Sequence, residues 1–199
     1  MTRMGWVGMF LVVAAAGCFG PQNSRRVKAE FSIPPGTLAI VPFREGEGGY
    51  FESEAGLAVV RTVGGRLTQA GIRGLKLLDL ESIRRILGNT DIDGTKPQEL
   101  QKRLGADYLL LGHITTLRVK EPKDVNILRG TIVMDLRLID LRQGTMLWRG
   151  SERLQYPKRQ PFGFGEDPQD VSPDVIRDGL IVLGGSAVAE NFYTHYEEE

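Results

Sequence analysis

The chain has a single thiol, Cys18, so no disulfide can form within it and the fold must rest on an apolar core. A surplus of positive charge is also missing: Lys plus Arg and Asp plus Glu both number 25, and the formal net charge is zero. Proteins that bind nucleic acid carry extra Lys and Arg to displace counterions, so no nucleic-acid partner is expected. Histidine is scarce. His113 and His195 are the only two, and neither is spaced with a cysteine or a second ligand, so neither a metal site nor a cofactor is expected. The chain also lacks any apolar run near the roughly 20 residues needed to cross a hydrocarbon core as a helix.

The 199 residues are 41% hydrophobic and 25% charged, which fits one soluble globular domain once an export segment is set aside. That segment is residues 1–17. A short positive start, Met1 to Arg3, leads into an apolar run from Gly5 to Ala16, and small residues then lead directly into the only cysteine. This is the layout of a secretory signal peptide. Ala15-Ala16-Gly17-Cys18 resembles the bacterial lipobox, with Ala15 where leucine is usual. The resemblance implies cleavage before Cys18 and acylation of its thiol. Acyl chains, at about 0.8 kcal/mol per buried methylene, would hold the protein at a bilayer. An ordinary cleaved signal with an incidental cysteine, or an uncleaved N-terminal anchor, are the alternatives. Phe19 stands where lipoproteins retained at the inner membrane carry Asp, which favours the outer membrane.

Residues 18–36 read as a tether: Gly20, Pro21, Asn23 and Ser24, then Pro34-Pro35-Gly36, without apolar periodicity. Fully stretched, it would reach about 60 Å. Arg25, Arg26 and Lys28 are read as solvated, with contact to anionic headgroups as the alternative. The domain is then expected over residues 37–196, in the order β-α-β-α-α-β-β-β-α, an α/β (α+β) fold with a mixed, mostly antiparallel sheet and helices packed against it. Strands are expected at Thr37 to Phe43, Leu75 to Leu78, Tyr108 to Val119, Thr131 to Leu141 and Met146 to Leu154. Tyr108 to Leu111 is continuously apolar, which implies cover on both faces. Ile132, Met134, Leu136 and Leu138 alternate with polar residues, which implies cover on one. Helices are expected at Phe51 to Ala70, Glu81 to Leu87 and Gln98 to Leu104, the last opened by a Thr95–Gln98 capping box. A final helix begins after Ser172, with Ile176, Leu180, Leu183 and Ala187 on its apolar side. The acidic terminus, Glu197 to Glu199, reads as frayed.

Three segments, taken in order, resemble one group of envelope proteins. Leu38-Ala39-Ile40-Val41-Pro42-Phe43, Leu104-Gly105-Ala106-Asp107-Tyr108-Leu109-Leu110-Leu111-Gly112, and Leu138-Ile139-Asp140-Leu141 with Gly144 and Trp148 are similar to segments of CsgG, LpoB and the N-terminal domain of TolB. The resemblance spans about Thr37 to Glu152. It implies the fold, a cell-envelope setting and a non-enzymatic role in binding another envelope protein. A ring-forming subunit of a secretion or assembly complex is the alternative. The segment from Lys120 to Asn126 is too short for the membrane hairpins of the pore-forming members, whose strands need about 9–11 residues each.

No catalytic constellation emerges. Asp91-Ile92-Asp93-Gly94-Thr95 matches the DxDGT signature of haloacid-dehalogenase-type phosphatases, but no apolar strand leads into it, so it reads as a solvated loop capping the next helix. Nor does it fit an EF-hand, because the twelfth position from Asp91 is Lys102 where Glu is required. Phe162-Gly163-Phe164-Gly165 falls in a polar, proline-rich loop. Phe162 and Phe164 are candidate partner or membrane contacts, with folding back onto their own domain as the commoner outcome.

Overall fold

The computed structural model describes residues 24–88, 90–120, 129–157 and 172–198. Cys18, Phe162 and Phe164 lie outside the described residues. In chain order the elements are β1 (Ser24–Val27), β2 (Gly36–Ile40), β3 (Arg44–Glu45), α1 (Glu54–Ala70), β4 (Leu75–Leu77), α2 (Leu80–Leu87), α3 (Pro97–Leu104), β5 (Tyr108–Lys120), β6 (Arg129–Asp140), β7 (Thr145–Tyr156), α4 (Pro173–Glu190) and β8 (His195–Glu198). The main sheet has the strand order β4-β2-β5-β6-β7, with β3 paired to the far part of β5. β2 runs parallel to β4 and β5, while β5, β6 and β7 form an antiparallel meander. The mixed α+β fold expected from the sequence is the one observed.

Two cores flank this sheet. On one face, α1 contributes Val59, Val63 and Leu67 and α4 contributes Ile176, Leu180 and Val188, packed on Leu38, Leu110, Ile132, Met134, Leu136 and Leu138. On the other face, Ile83 and Leu87 of α2 and Leu100 and Leu104 of α3 cover Ala39, Val41, Leu109 and Leu111. The apolar start of β5 therefore sends Tyr108 and Leu110 to one core and Leu109 and Leu111 to the other, as the unbroken run requires. In β6 the burial alternates residue by residue, because only one of its faces is packed along most of its length.

The β6–β7 turn is fixed by Asp140, whose buried carboxylate accepts the backbone N–H groups of Arg142 (2.8 Å) and Gln143 (3.0 Å). Gly144 completes the turn at φ 71°, a left-handed conformation that costs a side-chain-bearing residue more than glycine. Three helix starts differ from the sequence expectation, α2 by a single residue, at Leu80 rather than Glu81. α1 begins at Glu54 rather than Phe51 because the Ser53 hydroxyl accepts the N–H of Gly56 at 2.9 Å. α3 has Lys96 at its N-cap and no side-chain cap, because the Thr95 hydroxyl is spent on the carbonyl of Asp91 at 2.5 Å. The apolar side of α4 also differs: Leu183 and Ala187 are only half-buried, while Ile181, Gly184, Gly185 and Val188 are buried. Gly184 and Gly185 let the helix sit close to β6 and α1, where added Cβ atoms would meet Met134 and Thr62.

The body is longer at both ends than the expected 37–196. β1 pairs antiparallel with β8, Arg25 opposite Glu197 and Val27 opposite His195, so neither the start nor the acidic end is loose within the described residues. Ile33 is buried in the first core and Phe31 packs beside it. The Phe31 backbone N–H donates to the carbonyl of Asn191 at 2.9 Å. From Ser24 on, the segment read as a tether is part of the fold. Its ladder hydrogen bonds come from the chain's other end, a partner that local periodicity cannot reveal. Ile33→Ala is expected to cost about 2–4 kcal/mol, measured by urea unfolding, because a buried isoleucine leaves a cavity. A change within a solvated linker would leave the midpoint unmoved.

Candidate functional site

The two faces of the sheet are covered unequally. α2 and α3 lie over the β2 side, and among the described residues nothing lies over the same face of the outer meander. On that bare face β7 presents Arg149, Ser151, Arg153 and Gln155, all exposed, each alternating with a residue turned toward α4. β6 adds Arg129, Thr131, Val133, Asp135 and Arg137, and β5 adds His113, Thr116 and Arg118. Strand register sets the neighbours: Arg137 lies opposite Arg149, Asp135 opposite both His113 and Ser151, and Val133 opposite Arg153. A bulge between Ile114 and Thr116 keeps the outer part of β5 in phase, with Leu117 and Val119 inward and Thr116 and Arg118 outward.

An electrostatic tie bounds this face. Asp93, in the loop between α2 and α3, receives Arg137 Nη2 at 2.8 Å and Arg44 Nη1 at 3.3 Å. The Tyr50 hydroxyl donates to its two carboxylate oxygens at 3.0 and 3.1 Å. Arg44 also lies over the Tyr50 ring, 5.8 Å from its centroid. Burial pushes the Asp93 carboxyl up, but hydrogen bonds from Arg137 and Tyr50, with the charges of Arg137 and Arg44, outweigh it and hold the group below its ordinary value. For Tyr50, burial and then the Asp93 charge raise the phenol above its usual value.

The geometry assigns different work to the residues of the DxDGT-like segment. Asp91 accepts the N–H of Gly94 at 3.1 Å and so closes its own loop. Ile92 is buried in the second core, and Asp93 is turned onto the sheet face between two guanidinium groups. Neither carboxylate stands at the tip of a buried strand, and the loop is tied to β3 and to the face of β6 rather than capping α3. His113 reaches the carbonyl of Gly46 at 2.9 Å, and His195 lies 3.8 Å from Glu190. Among the described residues no three His, Cys, Asp or Glu side chains form a group that could hold a metal ion. No helix of the described residues is long and apolar enough to cross a membrane. Sequence reasoning missed the tie because Arg44, Tyr50, Asp93 and Arg137 come from four separate segments. A strand over Met146 to Leu154 was expected, but which of its side chains share the face left uncovered among the described residues was not.

No protein-family model matches the sequence, and no curated protein matches it. Solved structures do. Lipoprotein GNA1162 from Neisseria meningitidis is similar at a TM-score of 0.51 and 20% identity, over 78% of this chain and 96% of that one. The LpoB C-terminal domain from Escherichia coli follows at a TM-score of 0.40 and 16% identity, over 60% and 82% of the two chains. TolB from Acinetobacter baumannii is similar at 0.41 and 14%, over 84% of this chain and 30% of that one. The likeness to the Neisseria lipoprotein shows a shared fold.

Because the Asp93 carboxyl is depressed in the folded protein, its stabilisation is present above the unfolded carboxylate range and lost as pH falls through the folded value. Asp93→Asn is therefore expected to destabilise by about 1 kcal/mol at neutral pH, a modest figure because the pair is partly exposed. In denaturation series over pH, the gap between variant and parent should close on acidification.

Proposed function

We propose that this chain is an exported, non-enzymatic envelope lipoprotein, held by a lipid on Cys18 at the periplasmic side of the outer membrane, whose domain binds another envelope protein. The observation that carries the binding role is the bare half of the sheet. An antiparallel sheet needs cover on one face only, and here the other face presents a broad surface of long side chains at the end of the meander. Its fold, shared with a Neisseria lipoprotein, supports the same reading, as do the small residues before Cys18 and Phe19 after it. The non-enzymatic part is supported by Asp91 and Asp93, the residues with the strongest catalytic resemblance, both being spent on structural bonds.

A lipid on Cys18 would stand six positions before the first described strand, at Ser24, a stretch that could reach about 20 Å at most rather than the 60 Å of an eighteen-residue linker. A lipid there would hold the body against its own membrane, and a partner would have to meet it close to the bilayer.

In cells, the parent is expected to yield a mature chain carrying acyl mass that fractionates with the outer membrane. Cys18→Ser should leave an unprocessed or soluble, unacylated product, and Phe19→Asp should move the protein toward the inner membrane. Unchanged processing and fractionation in Cys18→Ser would remove the lipoprotein reading.

A further inference from the structure

The charge on the bare face is not balanced within it. Arg44 and Arg137 are matched by Asp93, but Arg118, Arg129, Arg149 and Arg153 make no ion pair among the described residues. Asp135 is the one acidic side chain on β5–β7 that shares their face. In a chain of zero net charge this is a concentrated cationic surface. Like charges on adjacent strands cost a few tenths of a kcal/mol or more per pair, so the arrangement weakens the free domain. The three arginines nearest the outer end, Arg118, Arg129 and Arg153, surround Thr116 and Thr131 in one shallow concavity. The Nε of Arg129 is buried there without a hydrogen-bond partner among the described residues.

We propose that this face binds an acidic, partly apolar segment of another envelope protein, the four arginines receiving its carboxylates; this rests on the docking role proposed above. Guanidinium forks match carboxylates with two parallel hydrogen bonds, and arginine is the cation enriched at protein interfaces. Apolar groups on the same face favour a protein segment over a bare polyanion. Met146, 56% exposed, lies at one end beside Arg149, and Val133 sits among the arginines at the other. A phosphate polymer or a lipid headgroup would leave both unmatched, whereas a segment with carboxylates flanking apolar side chains would cover them. Along β7, Arg149 and Arg153 stand about 14 Å apart on one face, a spacing set by the strand repeat and spanned by a short extended or helical segment.

The test uses the full lipidated protein in a nonionic detergent and, as probe, a dye-labelled peptide of about twelve residues alternating Glu and Leu, matched in length to a strand of this sheet. Fluorescence anisotropy at low salt should show binding that fades as salt rises. Arg118→Glu with Arg153→Glu should weaken it by at least about tenfold, while Arg61→Glu with Arg84→Glu, the same charge change on exposed helical faces, should change it by less than about twofold. If the first pair does not fold, Arg118→Gln with Arg153→Gln should still weaken binding by about threefold or more. Equal losses in both pairs, no binding of the peptide, or tighter binding of inorganic polyphosphate or phosphatidylglycerol vesicles would each overturn the proposal. A photo-cross-linker placed at Ser151 separates the two levels. Capture of an envelope protein without peptide binding rejects the acidic partner and leaves docking standing, and failure of both rejects both.

Discussion

A six-stranded sheet that is sandwiched over one half and covered on one face over the other sets the terms for everything else in this molecule. α1 and α4 pack along one face from β2 to β7, while α2 and α3 cover the opposite face only over the parallel half. Strand β5 crosses the boundary. It begins with four consecutive buried side chains and ends with inward leucine and valine alternating with outward threonine and arginine. Hydrophobic burial, at roughly 25 cal/mol per Å², thus organises the half near β2 from two sides and the meander from one. A wide surface that the core does not need is the consequence, and its side chains are not committed to packing among the described residues.

That surface has a fixed border because the α2–α3 loop is pinned to it. Ile92 anchors the loop from beneath by burial, and Asp93 anchors it from the side by charge. The tie joins β3, the start of α1's approach, and β6 through one carboxylate. Its individual bonds are partly exposed and each worth little, but they act on a loop whose apolar neighbour is already buried. A carboxylate placed between two guanidinium groups and a phenol is well suited to fixing geometry. It is poorly suited to nucleophilic attack, since every one of those contacts stabilises its charge and withholds its lone pairs.

The first and last described strands meet in the β1–β8 ribbon, and the segment after β1 returns to the core through Phe31 and Ile33. Pairing the ends changes the relation between the body and any anchor at Cys18. The same eighteen residues that would form a long leash if solvated become mostly structure, and the distance available to the domain contracts accordingly.

Much of this was legible in the residues alone. The runs around Leu38 and Leu109, the alternation through Met134 and the stop at Gly105 report backbone geometry and burial, which are written locally and periodically. The lone cysteine and the small residues before it are likewise local. What was not legible depends on residues far apart in the chain. Ser24–Val27 and His195–Glu198 carry no apolar period of their own and become strands only because each completes the other's hydrogen bonds. Thr95 looked like a helix cap until the fold placed the carbonyl of Asp91 within its reach, and Asp93 looked like a loop residue until Arg44 and Arg137 arrived from β3 and β6. The sequence marked Met146 to Leu154 as a strand. Only the packing of α2 and α3 over the opposite half of the sheet decided that one face of this strand has no cover among the described residues, because cover is a property of where helices land and not of the strand that lies beneath them.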